Sequence, residues 1–256
     1  MADLYPLVFP LTYAALSGAE AIWPARRLPP VPNWRAIGVM LFLVAGFVNS
    51  TIPPLWQHFA AQARLFDLTS LGTGGAIVAV LVFEFANYFW HRARHRVPLL
   101  FRAHQMHHSA ERIDVAGSSF GHPLDMLSVT AAGSFSASIL GVTPEAAALA
   151  GFIGFVLATF QHANIKTPRW LGYFVQRPES HSIHHARGVH AYNYSNLPVF
   201  DIVFGTFRNP ETAVAPSGFY DGASGRIVRM LVGMDVTEVD RDAPPAPTDA
   251  TAPSAR

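Results

Sequence analysis

The chain has 256 residues, half of them hydrophobic and only 14% charged, with a formal net charge of +1. That charged fraction falls well below the roughly one quarter usual in soluble domains, and mean hydropathy is positive, so the composition points to a membrane protein of one domain, and the near-zero net charge gives no reason to expect nucleic acid as a partner. The absence of cysteine excludes disulfides, thiolate zinc sites, iron–sulfur clusters and thiol catalysis, so any metal must be held by nitrogen and oxygen ligands.

Residues 4–24 form an apolar stretch of spanning length interrupted by Pro6, Pro10 and Glu20. Asp3 precedes it and the arginines follow it, the reverse of a cleaved signal peptide, so a retained helix is expected. Residues 36–52 are a second span closed by Pro53 and Pro54, and residues 71–90 are a third that runs directly into His91. Residues 126–141 and 145–162, split by Gly141 and Pro144, form an apolar hairpin. Each arm is short of the roughly 20 residues a bilayer core requires, so the pair reads as two spans or as re-entrant. The stretch 225–234 reads either as an amphipathic helix on the membrane surface or as an ordinary packed helix. From about Asp240 the chain is rich in Pro, Ala and Thr and reads as a disordered tail, 240–256. The expected fold is an all-α integral membrane protein over 1–239, a single membrane-embedded domain with four to five transmembrane or re-entrant helices and a cytoplasmic helical cap.

Arginine placement orients it. Arg26, Arg27 and Arg35 follow the first span and Arg92, Arg94, Arg96, Arg102 and Arg112 the third, whereas the loop between spans two and three has only Arg64. The positive-inside rule then places the arginine-rich segments, and residues 163–256 after the hairpin, in the cytoplasm. His58 falls on the opposite side and is assigned no site role.

The chemistry lies in three histidine clusters: His91 and His95; His104, His107 and His108; His181, His184 and His185. On a helix, residues three and four apart share a face, so each cluster is expected to aim its imidazoles at one point. Eight ligands are too many for one ion and fit two. All three clusters fall on the cytoplasmic side, past the helix ends, whereas a transporter holds its ligands near the bilayer midplane. Neutral imidazoles leave the metal charge uncompensated, which favours oxygen-derived anions during turnover and points to a non-haem di-iron centre; zinc also binds imidazole well and can replace iron in purified protein. His162 ends the last apolar helix at the same face and depth as His91, where a polar group needs a partner.

The segments FWHRARHRVPLLFRAHQMHHSAERIDV (89–115), HPLD (122–125), QHAN (161–164), HSIHH (181–185) and NYSNLPVFDIVFGTF (193–207) closely resemble the fatty acid hydroxylase superfamily, also called the sterol desaturase family, over about residues 70–210. The resemblance implies an integral membrane mono-oxygenase or desaturase in which two histidine-held irons on the cytoplasmic face activate O2 and remove hydrogen from a lipid C–H bond. It places the eight clustered histidines at ligand positions and adds His162 as a ninth. Many relatives carry an arginine shortly before the HP dipeptide and a glutamate after it, where this chain has Phe120-Gly121 and Asp125. His122 is accordingly read as an extra ligand or as a group hydrogen-bonded near Asp125. His190, in a stretch where relatives vary, is read as a surface residue.

Asn164, Asn193, Tyr194 and Asp201 are read either as partners of the ligand imidazoles, whose second N–H needs an acceptor, or as turn residues. Phe83, Phe85, Tyr88, Phe89 and Trp90 read as helix core and interfacial belt rather than substrate pocket. The sequence thus predicts an enzyme of the inner (cytoplasmic) membrane that hydroxylates or desaturates a lipid with O2. No electron-carrier fingerprint is visible, so the electrons are expected from a separate protein, and an acidic carrier suits the arginine-rich face. The alternatives are a non-enzymatic divalent-metal transporter or sensor and, last, a zinc hydrolase, which lacks its H-E-x-x-H signature.

Overall fold

The computed structural model of the chain describes residues 5–62 and 64–239, with the side chains of 5, 6 and 56–61 outside the description. The tail from Asp240 and the side chain of His58 therefore lie outside the described residues. All regular structure among the described residues is helical, apart from one isolated bridge between Ala186 and Ser217. The helices are α1 (Tyr5–Ile22), α2 (Trp34–Gln62), α3 (Gly75–Arg96), α4 (Pro98–His108), α5 (Val115–Ser118), α6 (Pro123–Leu140), α7 (Pro144–Phe160), α8 (Pro178–His184), α9 (Pro198–Val203) and α10 (Ile227–Leu231). Two stretches, Trp34–Leu55 and Thr69–Arg96, are long and apolar enough to cross a membrane; Leu7–Ile22 and Pro144–Phe160 are shorter apolar helices.

One boundary differs from the sequence expectation. The helix over the second span runs through Pro53 and Pro54 to Gln62 instead of stopping. Ahead of the prolines, the Ser50 and Thr51 hydroxyls bond back to the Phe47 carbonyl and the Asn49 amide to that of Ala45, the kind of side-chain support that lets proline sit inside an apolar helix. The hairpin forms as expected. Gly141 closes α6 in the left-handed conformation (φ 60°), where a Cβ would collide with the Phe66 carbonyl. Thr143 caps α7 by accepting the Ala146 amide, with Pro144 in the first turn.

α3 is the central helix, packed against α4, α6 and α7. Its exposed stripe, Ile77, Leu81, Phe85 and Phe89, is apolar, and its buried side runs from Gly75, Ala76 and Ala79 to Glu84, Asn87, Tyr88 and His91. That is the inverse of a soluble amphipathic helix. The small residues let α7 approach; Glu84 and Tyr88 bond the segment 195–206. Val97 is extended ahead of Pro98, which ends α3 and starts α4, so two helices bearing ligand-type residues meet at a sharp corner.

A compact apolar cluster of Trp34, Leu41, Met106, Ala110, Phe120 and Met230 supports α4. In the stretch 225–234, α10 lies on α4 with Met230 fully buried, while Val228 and Val232 remain exposed. The end of α1 is stitched to the segment after α7: Glu20 accepts the amides of Val115 and Asn164, each at 3.0 Å, and Asn164 exchanges bonds with the backbone of Arg26.

Candidate metal centre

Nine histidines converge in two groups. His91 and His95 from α3, His104 and His108 from α4 and His184 from α8 form one; His107 from α4, His162 after α7, His181 from α8 and His185 at its end form the other. Within each group the ligand-type nitrogens lie within 4.8 Å of one another. All nine positions singled out in the sequence are thus brought together. The expectation that each cluster points at one place holds for His91 and His95 and is corrected for the other two clusters. At 3.6 residues per turn, residues i and i+4 lie about 40° apart around the helix, whereas i+3 falls about 60° to the other side. His104 and His108 therefore join one group while His107 turns to the other, and His181 and His185 join the second while His184 crosses to the first. Each H-x2-H-H run serves both groups.

The nitrogen geometry fits bound cations. The Nδ1–H of His91 donates to the Tyr194 carbonyl at 2.6 Å and that of His104 to Asp125 at 2.9 Å. Both Nε2 atoms consequently present bare lone pairs, yet they stand 3.0 Å apart. In the second group the Nδ1–H of His107 donates to the Phe120 carbonyl and that of His162 to the Ala158 carbonyl, and their Nε2 atoms face each other at 3.2 Å. Two lone pairs so close repel unless a positive charge lies between them. Around a metal with bonds of about 2.1 Å, neighbouring nitrogens stand about 3.0 Å apart at right angles and about 3.4 Å apart at tetrahedral ones. The other close pairs, His104–His108, His162–His181 and His181–His185, are at 3.0–3.1 Å. Nε2 of His95 and His184 is buried with no protein partner, as a lone pair reserved for a metal would be. Burial pushes His104, His108, His181, His184 and His185 well below the ordinary imidazole pKa, with the Arg94 guanidinium adding to the effect at His104 and the crowding of neighbouring imidazoles at the others, which keeps them in the neutral form that ligates.

A surrounding layer fixes the rings. Asp125 joins His104 to Arg94, whose guanidinium donates to it at 2.8 Å. The Tyr192 carbonyl accepts from His184 at 2.8 Å, and the Tyr194 ring packs against His91, His95 and His184. This loop is strained: His190, Tyr192 and Asn193 all have positive φ, a conformation that costs energy in non-glycine residues and clusters at functional sites. Asn193 and Asp201 hold it in place. The Asn193 amide donates to the carbonyls of Ser180 and Arg208, and Asp201 accepts the amides of Tyr194 and Ser195 and the Thr206 hydroxyl. Of the four residues read as ring partners or turn formers, Tyr194 bonds a clustered imidazole, through its backbone carbonyl to His91, while Asn193 and Asp201 shape the turn that presents that carbonyl. Asn164 acts elsewhere, pinning the end of α1. His122 lies in neither group: it caps α6 by accepting the Leu124 amide, and its Nε2–H donates to the Leu231 carbonyl.

His190 is not the surface residue expected. It is half-buried, with Nδ1 3.1 Å from Nδ1 of His108. The sequence reading also passed over Glu84 and the Arg177–Glu179 pair. Glu84, fully buried on α3, accepts the Ser195 hydroxyl and both the backbone and side-chain amides of Asn196. A lone carboxylate in an apolar span was the available signal. Arg177 and Glu179, 3.0 Å apart and buried, both bond Thr167 and so fix the start of α8.

An all-helical protein with apolar outer faces and a buried double histidine site is the class these features define. The chain belongs to the fatty acid hydroxylase family, whose model matches residues 76–206. Among curated relatives it is 27% identical over 157 residues to the ornithine lipid hydroxylase OlsE of Rhizobium tropici, covering 60% of this chain and 46% of that protein. It is 24% identical to sphinganine C4-monooxygenase 1 of Arabidopsis thaliana, covering 67% and 64%, and 26% identical to human alkylglycerol monooxygenase, covering 72% and 42%. The chain spans about half the length of the curated relatives it matches. No solved structure matches it.

Proposed function

We propose that this protein is a membrane-bound non-haem di-iron oxygenase that hydroxylates or desaturates a lipid C–H bond with O2 and electrons from a separate carrier protein. The observation that carries this reading is the pairing of bare Nε2 lone pairs in two adjacent groups of five and four imidazoles, within a chain of the fatty acid hydroxylase family. His91, His95, His104, His108 and His184 would hold one iron, and His107, His162, His181 and His185 the other. Iron so held would supply the activation of O2 and the removal of hydrogen from the lipid. The protein's own part is positioning. Asp125 and the carbonyls of Tyr192, Tyr194, Phe120 and Ala158 fix which nitrogen of each ring faces inward, and burial keeps the rings neutral.

The single-domain organisation and the cytoplasmic siting belong to the same proposal. They are supported by the arginine distribution and by the position of the site at the C-terminal ends of α3 and α7, with His91 and His95 in the last turns of α3 and His162 just after α7. Because the chain lacks cysteine, Asp221→Cys, at a highly exposed acidic position, gives a topology probe. A membrane-impermeant thiol reagent should label it from the cytoplasmic side alone. The function is tested by elemental analysis and by lipidomics of cells with and without the protein. Iron with an O2-dependent lipid product supports it; metal flux into liposomes without oxidised lipid would overturn it in favour of a transporter.

A further inference from the structure

A face beside the first histidine group is exposed and apolar without belonging to any helix of spanning length. α9 is six residues long, and Val199, Ile202 and Val203 stand exposed on it, with Phe204 just beyond. Val203 is 68% exposed. Phe204 stacks on Tyr88 at 4.9 Å and meets Phe89 at 5.0 Å, and Phe200 meets Phe85 at 5.8 Å. The exposed patch of α9 is therefore continuous with the apolar stripe of α3. The short helical turn Arg169–Tyr173 packs against α9 and adds exposed Trp170, Tyr173 and Phe174. Lys166 and Arg169 flank those aromatics, both exposed. A contiguous apolar patch of this kind marks an interaction surface. Aromatic residues beside basic ones are the composition that suits the headgroup boundary of a bilayer.

We propose that α9 and the turn Arg169–Tyr173 dip into the lipid leaflet from which α3 emerges, forming a membrane-docked rim beside the first histidine group. The inference rests on α3 being a span, and it deepens the functional reading by giving the lipid a side of entry. The rings of Phe89 and Phe204 are in contact and close over Tyr88, which is fully buried and meets the Tyr194 ring at 6.0 Å, so a lipid chain arriving from this side reaches the first histidine group only where that aromatic layer parts. The Tyr194 ring packs in turn on His91, His95 and His184. The leaflet is favoured over a protein partner because the patch continues the lipid-facing stripe of α3 without a polar break.

Nitroxide labels test the docking directly in the full-length protein in phosphatidylcholine–phosphatidylglycerol nanodiscs. Val203→Cys and Trp170→Cys are read against Asp221→Cys as the aqueous reference. At positions 203 and 170, relaxation by dissolved oxygen should exceed relaxation by a water-soluble nickel chelate, with a ratio several-fold above that at 221. Equal ratios at all three positions would overturn the proposal. So would dipolar broadening at 203 showing that a second copy covers the face. The double variant Ile202→Asp, Val203→Asp should keep its full metal content and lose several-fold in turnover of bilayer-resident lipid; unchanged turnover would again count against docking. The label readout needs no activity, so it stands even if the oxygenase reading fails.

Discussion

Asp125 and His104 lie 2.9 Å apart, carboxylate to Nδ1, with Arg94 on the same carboxylate at 2.8 Å. The buried carboxylate thereby fixes the His104 tautomer and neutralises a buried cation. Asp125 stands in the first turn of α6, which packs on α4, the helix that carries His104.

Replacing Asp125 with Asn should be more damaging than its size suggests. The amide can accept one of the two bonds, but it leaves Arg94 uncompensated beside the first histidine group. Loss of such a partner typically lowers metal affinity or activity about 10- to 100-fold. Chelator competition on the purified protein checks this, and an unchanged metal affinity would show that the carboxylate is dispensable.

How much of this was legible beforehand follows from the kind of signal each residue gives. The eight clustered histidines were visible because helical spacing is local, and His162 because it ends an apolar helix at the depth of His91. Their division between two groups was not anticipated, although the i, i+4 pairing inside each H-x2-H-H run contains it; which pair meets which depends on how α4 and α8 face each other across α3. The second spanning helix was cut short at Pro53 because Ser and Thr side chains bonding back along the helix leave no clear mark in composition. Glu84, Arg94 and His190 act through partners 112, 31 and 82 residues away, and no local pattern announces such distances.

The two groups should lose metal separately. His162→Ala removes one of four ligands from the second group and should lower metal content toward one ion per chain, whereas His91→Ala should spare the second group and deplete the first. His58→Ala should do neither. Elemental analysis of the three variants decides. If His162→Ala retains both metals and normal turnover, His162 only lines the interface and the site closes without it.

Acid should release the metals and destabilise the metal-free protein. His104, His108, His181, His184 and His185 are held below their ordinary pKa by burial, so below about pH 6.5 the unfolded chain binds more protons than the folded one. The sign is therefore a loss of stability as pH falls from about 7 to about 5, and protons compete with metal over the same range. Thermal unfolding of metal-free protein and metal retention on desalting, each followed across that interval, provide the check. A flat profile in both would mean that the rings are charged in the folded state.

The last prediction concerns His190. In the first group, Nε2 of His108 faces Nε2 of His104 at 3.1 Å. Because Nδ1–H of His104 donates to Asp125, that opposing nitrogen carries no proton. Once a metal takes the Nε2 lone pair of His108, the single proton of its neutral ring can reside only on Nδ1. There it meets Nδ1 of His190 at 3.1 Å, which must accept it and keep its own proton on Nε2. Burial holds His190 at a pKa of about 4, so the accepting lone pair is present at neutral pH. The backbone of His190 is in the left-handed region (φ 40°), a local cost maintained by the surrounding loop. His190→Leu should therefore weaken metal retention in the first group by about tenfold, the lower end of what losing such an acceptor costs, and leave the second group unchanged. His190→Asn, which keeps a carbonyl acceptor, should recover part of the loss. Cobalt substitution provides a readout independent of turnover, since reorientation of the His108 ring should shift the visible bands of the first group in His190→Leu. Identical spectra and metal retention in wild type and His190→Leu would show that His108 needs no acceptor behind it.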